Sequence, residues 1–281
     1  GSIDLYNPYV SLVNNISHDH KSIEELIALF QNLSNRTAQA LIVNDDYETS
    51  RRLVHKNKIT FSVKNPQADF FAGDITPLPH GTEYSLDGRK FSLKLIGQFN
   101  VANALAAIAV CSVFDVDKFK AAEILQNFSG TKRRLEVIGQ KNDITVIDDF
   151  AHNPDKITAS VSALRQYKGR LLIMFQPHGF GPMRSMGKEI IESFVKNMQD
   201  ADVLIMPEIF FVGGTVTKDI SSADLIDYAR KLGKTNAFFV NNKTDAADLL
   251  IKEAKPGDRI VIMGARDNSL TDLCKQILER L

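Results

Sequence analysis

Two stretches decide the fold: residues 143–154, DITVIDDFAHNP, and residues 171–178, LLIMFQPH. Each contains a mainly apolar run, residues 144–147 in the first and 171–175 in the second, and then changes abruptly to polar residues and proline. A continuously apolar strand is typical of a parallel sheet that is covered on both faces. Pro154 suits the first turn of a helix, and Asn153 before it suits the N-cap position. The pattern therefore predicts buried strands that are each followed by a helix.

The same alternation of strands and helices extends through residues 129–281. It predicts a doubly wound, mostly parallel, Rossmann-like sheet, in which ligands bind at the carboxyl ends of the strands. The predicted strands cover residues 143–147, 170–175, 203–206, 237–240 and 259–263, and the predicted helices cover residues 154–166, 184–199, 222–232, 243–252 and 269–281.

Residues 1–128 mix helices with short strands, so we predict an α/β chain of two domains, 1–128 and 129–281. Ser22 is the predicted N-cap of a helix whose first turn holds Glu24 and Glu25. Asp87-Gly88 predicts a tight hairpin turn. The predicted strands cover residues 9–16, 40–43, 58–63, 69–76, 82–86 and 90–95, and the predicted helices cover residues 22–33, 101–113 and 116–126.

Composition excludes several classes of protein. Lys plus Arg and Asp plus Glu both number 34, so the net charge gives no reason to expect a nucleic acid or an anionic membrane as partner. No apolar run approaches the roughly 20 residues of a membrane span, and no signal peptide is apparent. Cys111 and Cys274 lie far apart and fit a reducing compartment. We therefore expect a cytoplasmic protein, and the start at Gly1-Ser2 without Met leaves open that it is a fragment.

The polar residues after the predicted strands are the candidate site residues. After residues 144–147, a carboxylate of Asp148 or Asp149 could hold a ribose and His152 could contact phosphate, or the loop could simply cap a helix. After residues 171–175, His178 and Arg184 could bind an anionic substrate or lie on a solvated loop.

Three further segments could bind anions, a base or a metal. Gly264 to Arg266, before the last helix, is a candidate anion site. Arg133 and Arg134 near the domain joint could clamp phosphates or form a solvated turn. Asn100 and Asn103, three residues apart, could contact an adenine edge, although N-capping by Asn100 is the simpler interpretation. Asp and His residues at 18–20 could bind a divalent ion or remain unliganded.

Five motifs in this order resemble those of the Mur ligase family, with the best match to the branch that joins L-alanine to UDP-N-acetylmuramate and the next best to murein tripeptide ligases. Residues 15–20, NISHDH, are similar to its Asn-Ile-x-x-Asp-His motif. The other four are residues 97–103 (GQFNVAN), 130–136 (GTKRRLE), 148–154 (DDFAHNP) and 175–178 (FQPH).

The resemblance implies a role for each matching residue. His20 would be a Mg²⁺ ligand, Asn100 and Asn103 would contact the adenine of ATP, and Asp149 would hold the ribose. Arg134, which would reach the phosphates, and His152 would be the catalytic residues, and both would also contact the nucleotide. The residues near the incoming amino acid or peptide would be His178, Arg184 and Arg266.

The resemblance also implies an activity and a domain plan. The enzyme would use ATP and Mg²⁺ to phosphorylate the carboxylate of a UDP-N-acetylmuramate-type substrate, which an amino acid or peptide then attacks, in peptidoglycan synthesis or recycling. Residues 1–128 would be part of the central, ATPase-type domain, and residues 129–281 the complete C-terminal domain. No Gly-x-x-Gly-Lys-Thr phosphate loop is present, so this chain alone is expected to be inactive.

Departures from the family pattern keep alternatives open. Phe99 stands where the family usually has His, and basic residues are missing at Gly179 and Pro182. A shortened protein that binds a nucleotide or peptide without catalysis is one alternative. An unrelated dehydrogenase or transferase is another, although no predicted strand precedes Gly-x-Gly-x-x-Gly. An incomplete sheet would expose an edge and could support a homodimer.

Overall fold

The computed structural model describes residues 2–16, 22–78, 80–211, 213 and 215–281. The chain divides into two compact units, Gly1–Ser129 and Gly130–Leu281. The predicted domain limit at residues 128 and 129 lies one residue from this division.

The first unit contains one six-stranded sheet with strands in chain order. β1 to β4 are parallel, and β4 to β6 form antiparallel pairs. A 3-10 turn at Ser2–Leu5 precedes the strands β1 Val10–Val13, β2 Ala40–Asn44, β3 Lys58–Ser62, β4 Phe70–Leu78, β5 Gly81–Leu86 and β6 Arg89–Leu93, and the helices are α1 Ile23–Arg36, α2 Glu48–Arg51, α3 Gln98–Ser112 and α4 Lys118–Leu125.

Local sequence signals explain two of these elements. Ser22 caps α1 in a capping box, in which its hydroxyl accepts from the Glu25 N–H while the Glu25 carboxylate accepts from the Ser22 N–H. Asp87 and Gly88 have φ angles of 47° and 78°, and the residues that flank them, Leu86 and Arg89, pair directly. The predicted cap and the predicted hairpin are both confirmed.

The start of α3 corrects one interpretation. The helix begins at Gln98 rather than at residue 101, and its N-cap is Gly97, whose φ of 98° favours glycine. Asn100 therefore lies within the first turn, and the interpretation of Asn100 as the N-cap is wrong. The buried face of α3, including Leu105 and Ile108, packs against the sheet and forms the core of this unit.

The edge of the first sheet carries exposed apolar side chains. Within the described part of the chain, β1 pairs with β2 alone. Leu12 on β1 is 44% exposed, and Tyr9 beside it contacts the exposed ring of Phe114 at 5.9 Å between centroids. Self-association through this edge stays a prediction.

The second unit is a six-stranded sheet in the order β11-β10-β9-β12-β8-β7. β8 to β12 are parallel, and β7 is antiparallel to β8 at the edge. The strands are β7 Glu136–Lys141, β8 Ile144–Asp149, β9 Leu171–Gln176, β10 Val203–Pro207, β11 Ala237–Val240 and β12 Arg259–Gly264, and the helices are α5 Pro154–Leu164, α6 Phe180–Asn197, α7 Ser222–Lys231, α8 Lys243–Glu253 and α9 Leu270–Arg280.

Helices cover both faces of this sheet, which confirms the doubly wound architecture. Alternate strand residues such as Met174 and Ile262 pack with α8 and α9. On the other face, the Phe175 ring contacts Phe194 of α6 at 5.3 Å, and α6 packs between α5 and α7. β8, β9 and β10 are buried along their whole length, as their continuous apolar runs predicted. No helix in the described residues is long and apolar enough to cross a membrane.

Two elements of the second unit differ from the prediction. β7 was not predicted, because an edge strand with half-exposed side chains and Gly139 in its middle has no clear apolar pattern. α6 begins at Phe180 rather than at residue 184. Gly179 precedes it with a φ of 73°, and Pro182 is accommodated because the first turn of a helix needs no N–H from it.

Two glycines offer a matched test of the close packing between the loops that contain Gly169 and Gly257. Gly169 and Gly233 have nearly equal φ angles, 99° and 96°, so alanine meets about 1 kcal/mol of backbone strain at either position. At Gly169 an added Cβ would lie 1.9 Å from the carbonyl oxygen of Gly257, whereas at Gly233 it would meet nothing within 4 Å. We expect Gly169→Ala to lower the free energy of unfolding by about 1–3 kcal/mol more than Gly233→Ala, measured by urea unfolding. Equal losses would contradict the close approach of these two loops.

Candidate functional site

The carboxyl ends of β8, β9 and β12 bring three predicted loops together. β12 lies between the other two strands, with Met263 opposite both Asp149 and Phe175 and with Gly264 opposite Gln176. The loops that follow therefore leave the sheet at the same edge. The imidazole rings of His152 and His178 lie 5.6 Å apart there, nearly perpendicular to each other.

His152 has a defined tautomer. Its Nδ1 lies 2.8 Å from the carbonyl oxygen of Phe150, which can only accept, so Nδ1 carries the proton and Nε2 the lone pair. Burial is the main cause that lowers the pKa of His152 below 6.5, and the neighbouring cations Lys156, Arg134 and Arg266 add to this effect. A neutral imidazole with a free Nε2 is able to accept a proton.

His178 has an unsatisfied polar atom. The side chain is half-buried, and its Nδ1 is buried without a hydrogen-bond partner among the described residues. Burial lowers the pKa of His178, and His152 and Arg266 lower it further. Most buried polar atoms are hydrogen-bonded in folded proteins, so leaving Nδ1 unpaired costs stability at this edge of the sheet.

The two adjacent arginines, Arg133 and Arg134, differ in burial and in bonding partners. Arg133 is buried, and its guanidinium donates to Asp148 Oδ1 at 3.3 Å and to the Gly264 carbonyl at 2.7 Å. Arg134 is exposed, forms no ion pair with any residue that the structure describes, and lies 5.3 Å from the Phe150 ring. Arg133 thus ties β8 to β12, and Arg134 is available to an anion.

The backbone around Arg134 is held firmly. Arg133 and Leu135 have φ angles of 58° and 48°, in the left-handed region that few side chains adopt. The Phe150 N–H donates to the Arg133 carbonyl at 2.7 Å, and the Arg133 N–H donates to Glu136 Oε2 at 2.7 Å. These bonds hold Arg134 beside the end of β8.

The two aspartates at the end of β8 face the protein interior. Asp149 is 3% exposed, and its carboxylate accepts from the Ser160 hydroxyl at 2.5 Å and from the Leu135 N–H at 3.4 Å. Asp148 is fully buried and accepts from Thr271 at 2.5 Å as well as from Arg133. Burial raises the pKa of both carboxyls. Their contacts hold the loop in place, and a ribose would have to compete with these partners for Asp149.

Arg184 does not contribute to the histidine cluster, which consists of His152 and His178. Its guanidinium binds the carboxylate of Asp219 and donates to the Thr217 carbonyl at 2.9 Å. The charges that act on His178 come from His152 and Arg266, and Arg184 is not among them. Arg266 is exposed, with a φ of 63° in the loop after β12, and forms no ion pair with any residue that the structure describes, whereas Arg184 is paired with Asp219.

The candidate base-binding residues of the first unit share one turn of α3. Asn103 Nδ2 donates to Asn100 Oδ1 at 3.3 Å, and Asn100 Nδ2 donates to the Ile96 carbonyl at 2.9 Å. Asn103 is exposed. Sequence reasoning gave no role to Asn14, whose Nδ2 donates to Asn103 Oδ1 at 2.8 Å. Its position directly after β1 was the available signal.

The predicted metal ligand His20 lies outside the described residues. Within the described ranges, no group of three or more His, Cys, Asp or Glu side chains is arranged to hold a metal ion. The assignment of Mg²⁺ to His20 stays a prediction.

Comparison with known families matches both units. The Mur ligase middle domain model matches residues 2–111, and the Mur ligase, glutamate ligase domain model matches residues 133–266. A curated relative, UDP-N-acetylmuramate--L-alanine ligase of Dictyoglomus turgidum, is 31% identical over 94% of this chain and 60% of its own length. The chain thus spans about 60% of the length of the curated relatives that it matches.

Solved structures of the family share the fold. The UDP-N-acetylmuramate-alanine ligase of Thermotoga maritima has a TM-score of 0.73 at 21% identity, with 99% of this chain and 60% of that chain covered. The MurF ligase of Thermotoga maritima in complex with ADP has a TM-score of 0.65 at 15% identity, with 97% and 62% covered. At these identities the likeness concerns the fold. Together with the two family models, it shows that the chain belongs to the Mur ligase family and carries its middle and C-terminal domains.

Proposed function

We propose that this chain is part of an ATP-dependent ligase that joins a UDP-N-acetylmuramate-type carboxylate to an amino acid or peptide in peptidoglycan synthesis or recycling. The observation that carries the proposal is the match of both units to Mur ligase domains, together with an unpaired Arg134 at the strand ends. L-alanine is the favoured acceptor, because the curated relative from Dictyoglomus turgidum is named for it. Because ATP is available in the cytoplasm, we expect the reaction to take place there.

The reaction needs two steps. A carboxylate oxygen attacks the γ-phosphorus of ATP and ADP leaves, which converts the carboxylate to an acyl phosphate. The amine nitrogen then attacks the acyl carbon, phosphate leaves and the amine loses a proton. Negative charge gathers in both steps, so an unpaired guanidinium stabilises the transition states more than the ground states. Arg134 supplies such a guanidinium.

The histidine cluster fits the second step. His152 keeps its Nε2 lone pair free at neutral pH, so it can take the proton that the attacking amine loses. The exposed guanidinium of Arg266 would hold the carboxylate or carbonyl of the incoming amino acid or peptide, with the half-buried imidazole of His178 beside it. Arg184 would contribute only after exchange of its partner Asp219.

Each unit offers a group of a kind that binds part of a nucleotide. In the first unit, Asn103 presents an exposed amide suited to a base. In the second unit, Arg134 offers a positive charge suited to phosphate. Mg²⁺ would neutralise phosphate charge, and its predicted ligand His20 lies outside the described residues. A shortened protein that binds a nucleotide or peptide without catalysis is the alternative.

The first test compares ligase activity of this chain with that of a longer product of the same gene. Both would receive ATP, Mg²⁺, UDP-N-acetylmuramate and either L-alanine or murein tripeptide, and phosphate release would be followed. We expect activity in the longer form alone, since a phosphate loop is needed to hold ATP. A longer form that is inactive with every acceptor would favour the alternative of a binding protein, and activity of this chain alone would contradict its expected dependence on the rest of the protein.

The two adjacent arginines provide a second test. In an active longer form, Arg134→Ala should lower kcat/KM about 100- to 1,000-fold, as loss of a charge-stabilising donor does elsewhere, with little change in stability. Arg133→Ala should lower the free energy of unfolding by about 3–5 kcal/mol, because it leaves Asp148 buried without its cation. Kinetics and urea unfolding of both variants measure this contrast. The reverse pattern would show that the two arginines were assigned wrongly.

The third test examines which charges surround His178, by NMR titration of its imidazole. We expect the pKa of His178 to rise in Arg266→Gln and in His152→Gln, because each removes a positive neighbour, and to stay constant in the control Arg184→Gln. An equal shift in the Arg184 variant would show that Arg184 also acts on His178.

The lowered pKa values of His152 and His178 also make stability depend on pH. The folded state binds fewer protons than the unfolded state, since both histidines titrate below 6.5. Their contribution to stability is therefore present above pH 6.5 and is lost as the pH falls through the folded pKa values.

A further inference from the structure

Four asparagines of the first unit form one continuous chain of hydrogen bonds. Two of them, Asn44 and Asn14, follow or end neighbouring parallel strands, and the other two lie in the first turns of α3. The chain consists of Asp46 N–H to Asn44 Oδ1 at 3.0 Å, Asn44 Nδ2 to Asn14 Oδ1 at 3.3 Å, Asn14 Nδ2 to Asn103 Oδ1 at 2.8 Å, Asn103 Nδ2 to Asn100 Oδ1 at 3.3 Å, and Asn100 Nδ2 to the Ile96 carbonyl at 2.9 Å.

The two ends of this asparagine chain determine its direction. It starts at a backbone N–H, which can only donate, and it finishes at a backbone carbonyl, which can only accept. Rotation of any one amide by 180° would place two oxygens or two NH₂ groups against each other. Asn44, at 2% exposure, holds the first link inside the protein, so the orientation is determined from the interior outward.

Orientation matters because an asparagine amide has nearly the same shape after a 180° rotation. An exposed amide that could rotate freely would offer either its oxygen or its NH₂ group at the same point. A 6-aminopurine such as adenine presents a donor at position 6, whereas a 6-oxopurine such as hypoxanthine presents an acceptor there. An amide in a single orientation can discriminate between them, and a rotating amide cannot.

We propose that Asn14 and Asn44 are positioning residues that hold the amides of Asn103 and Asn100 in one orientation and thereby select a 6-aminopurine over a 6-oxopurine. This inference rests on the proposed nucleotide site at Asn100 and Asn103. Neither Asn14 nor Asn44 needs to touch the base. After its links within the asparagine chain, Asn103 keeps one N–H and one oxygen lone pair for a base edge.

The variant Asn14→Asp reverses the central link. A carboxylate can accept from Asn44 as before, but it cannot donate to Asn103. The Asn103 amide then rotates to point its NH₂ group at Asp and gives up its bond to Asn100 Oδ1, so its oxygen and NH₂ group exchange places toward the base. We expect the preference for ATP over inosine triphosphate to fall about tenfold, which lies within the range of a bidentate asparagine–base contact. Asn127→Asp adds the same charge at an exposed asparagine of this unit outside the asparagine chain and should leave the preference unchanged.

Titration of the ¹⁵N-labelled longer form with ATP and with inosine triphosphate measures both affinities by NMR. An unchanged preference in Asn14→Asp, or an equal fall in Asn127→Asp, would overturn the inference. A wild-type longer form that is an active ligase but shows no contact of either nucleotide with Asn100 or Asn103 would overturn the nucleotide site and the base selection with it.

A measurement without nucleotide separates the two failures. We expect Asn14→Ala to shift the side-chain NH₂ signals of Asn103 and Asn100 and to speed their exchange with water, whereas Asn127→Ala should leave them unchanged. Unchanged Asn103 and Asn100 signals in Asn14→Ala would disprove the hydrogen-bonded asparagine chain even if ATP binds.

Discussion

Parallel pairing of β12 between β8 and β9 is the constraint on which the second unit depends. The three strands are nearly completely buried, so each must satisfy its backbone groups through its neighbours and must point its carboxyl end the same way. That single direction collects the loops after residues 149, 176 and 264 at one edge. The meeting of His152 and His178 is a consequence of strand direction, although the two residues are 26 positions apart in sequence.

Burial then divides the charged residues at this edge into two kinds. Arg133, Asp148 and Asp149 lie inside and bond to one another or to nearby hydroxyl and backbone groups, although one guanidinium nitrogen of Arg133 has no partner among the described residues. Arg134 and Arg266 lie outside and keep their charge available. A buried pair holds the loops in register at a desolvation cost. The two exposed cations form no ion pair with a carboxylate in the part of the chain that the structure describes. Arg184 does not belong to the available cations, because its guanidinium already binds the carboxylate of Asp219.

The first unit uses neutral groups for a comparable purpose. Its asparagine chain runs from the end of β2 to the start of α3, and its direction follows from one backbone donor and one backbone acceptor. Amides have no charge to orient them over a distance, so only contact with fixed neighbours can hold them. The candidate base-binding residues and the strand-end asparagines accordingly lie on adjoining elements, and the amide of Asn103 is exposed.

The amino-acid sequence by itself determined the class of fold, the strands that are apolar throughout, the capping box at Ser22 and the hairpin at Asp87-Gly88, because each depends on residues within a few positions of one another. It also identified the strand-end residues, since parallel strands place their carboxyl ends together. Where local signals are weak, the prediction failed: β7 has no apolar period, and α6 starts four residues early because Gly179 and Pro182 fit either a loop or a first turn. Only the tertiary structure decided which of two adjacent arginines is buried, which partner Arg184 takes and which way the Asn103 amide points. Those outcomes depend on neighbours that are distant along the chain, such as Gly264 for Arg133 and Asn14 for Asn103, and no local pattern encodes them.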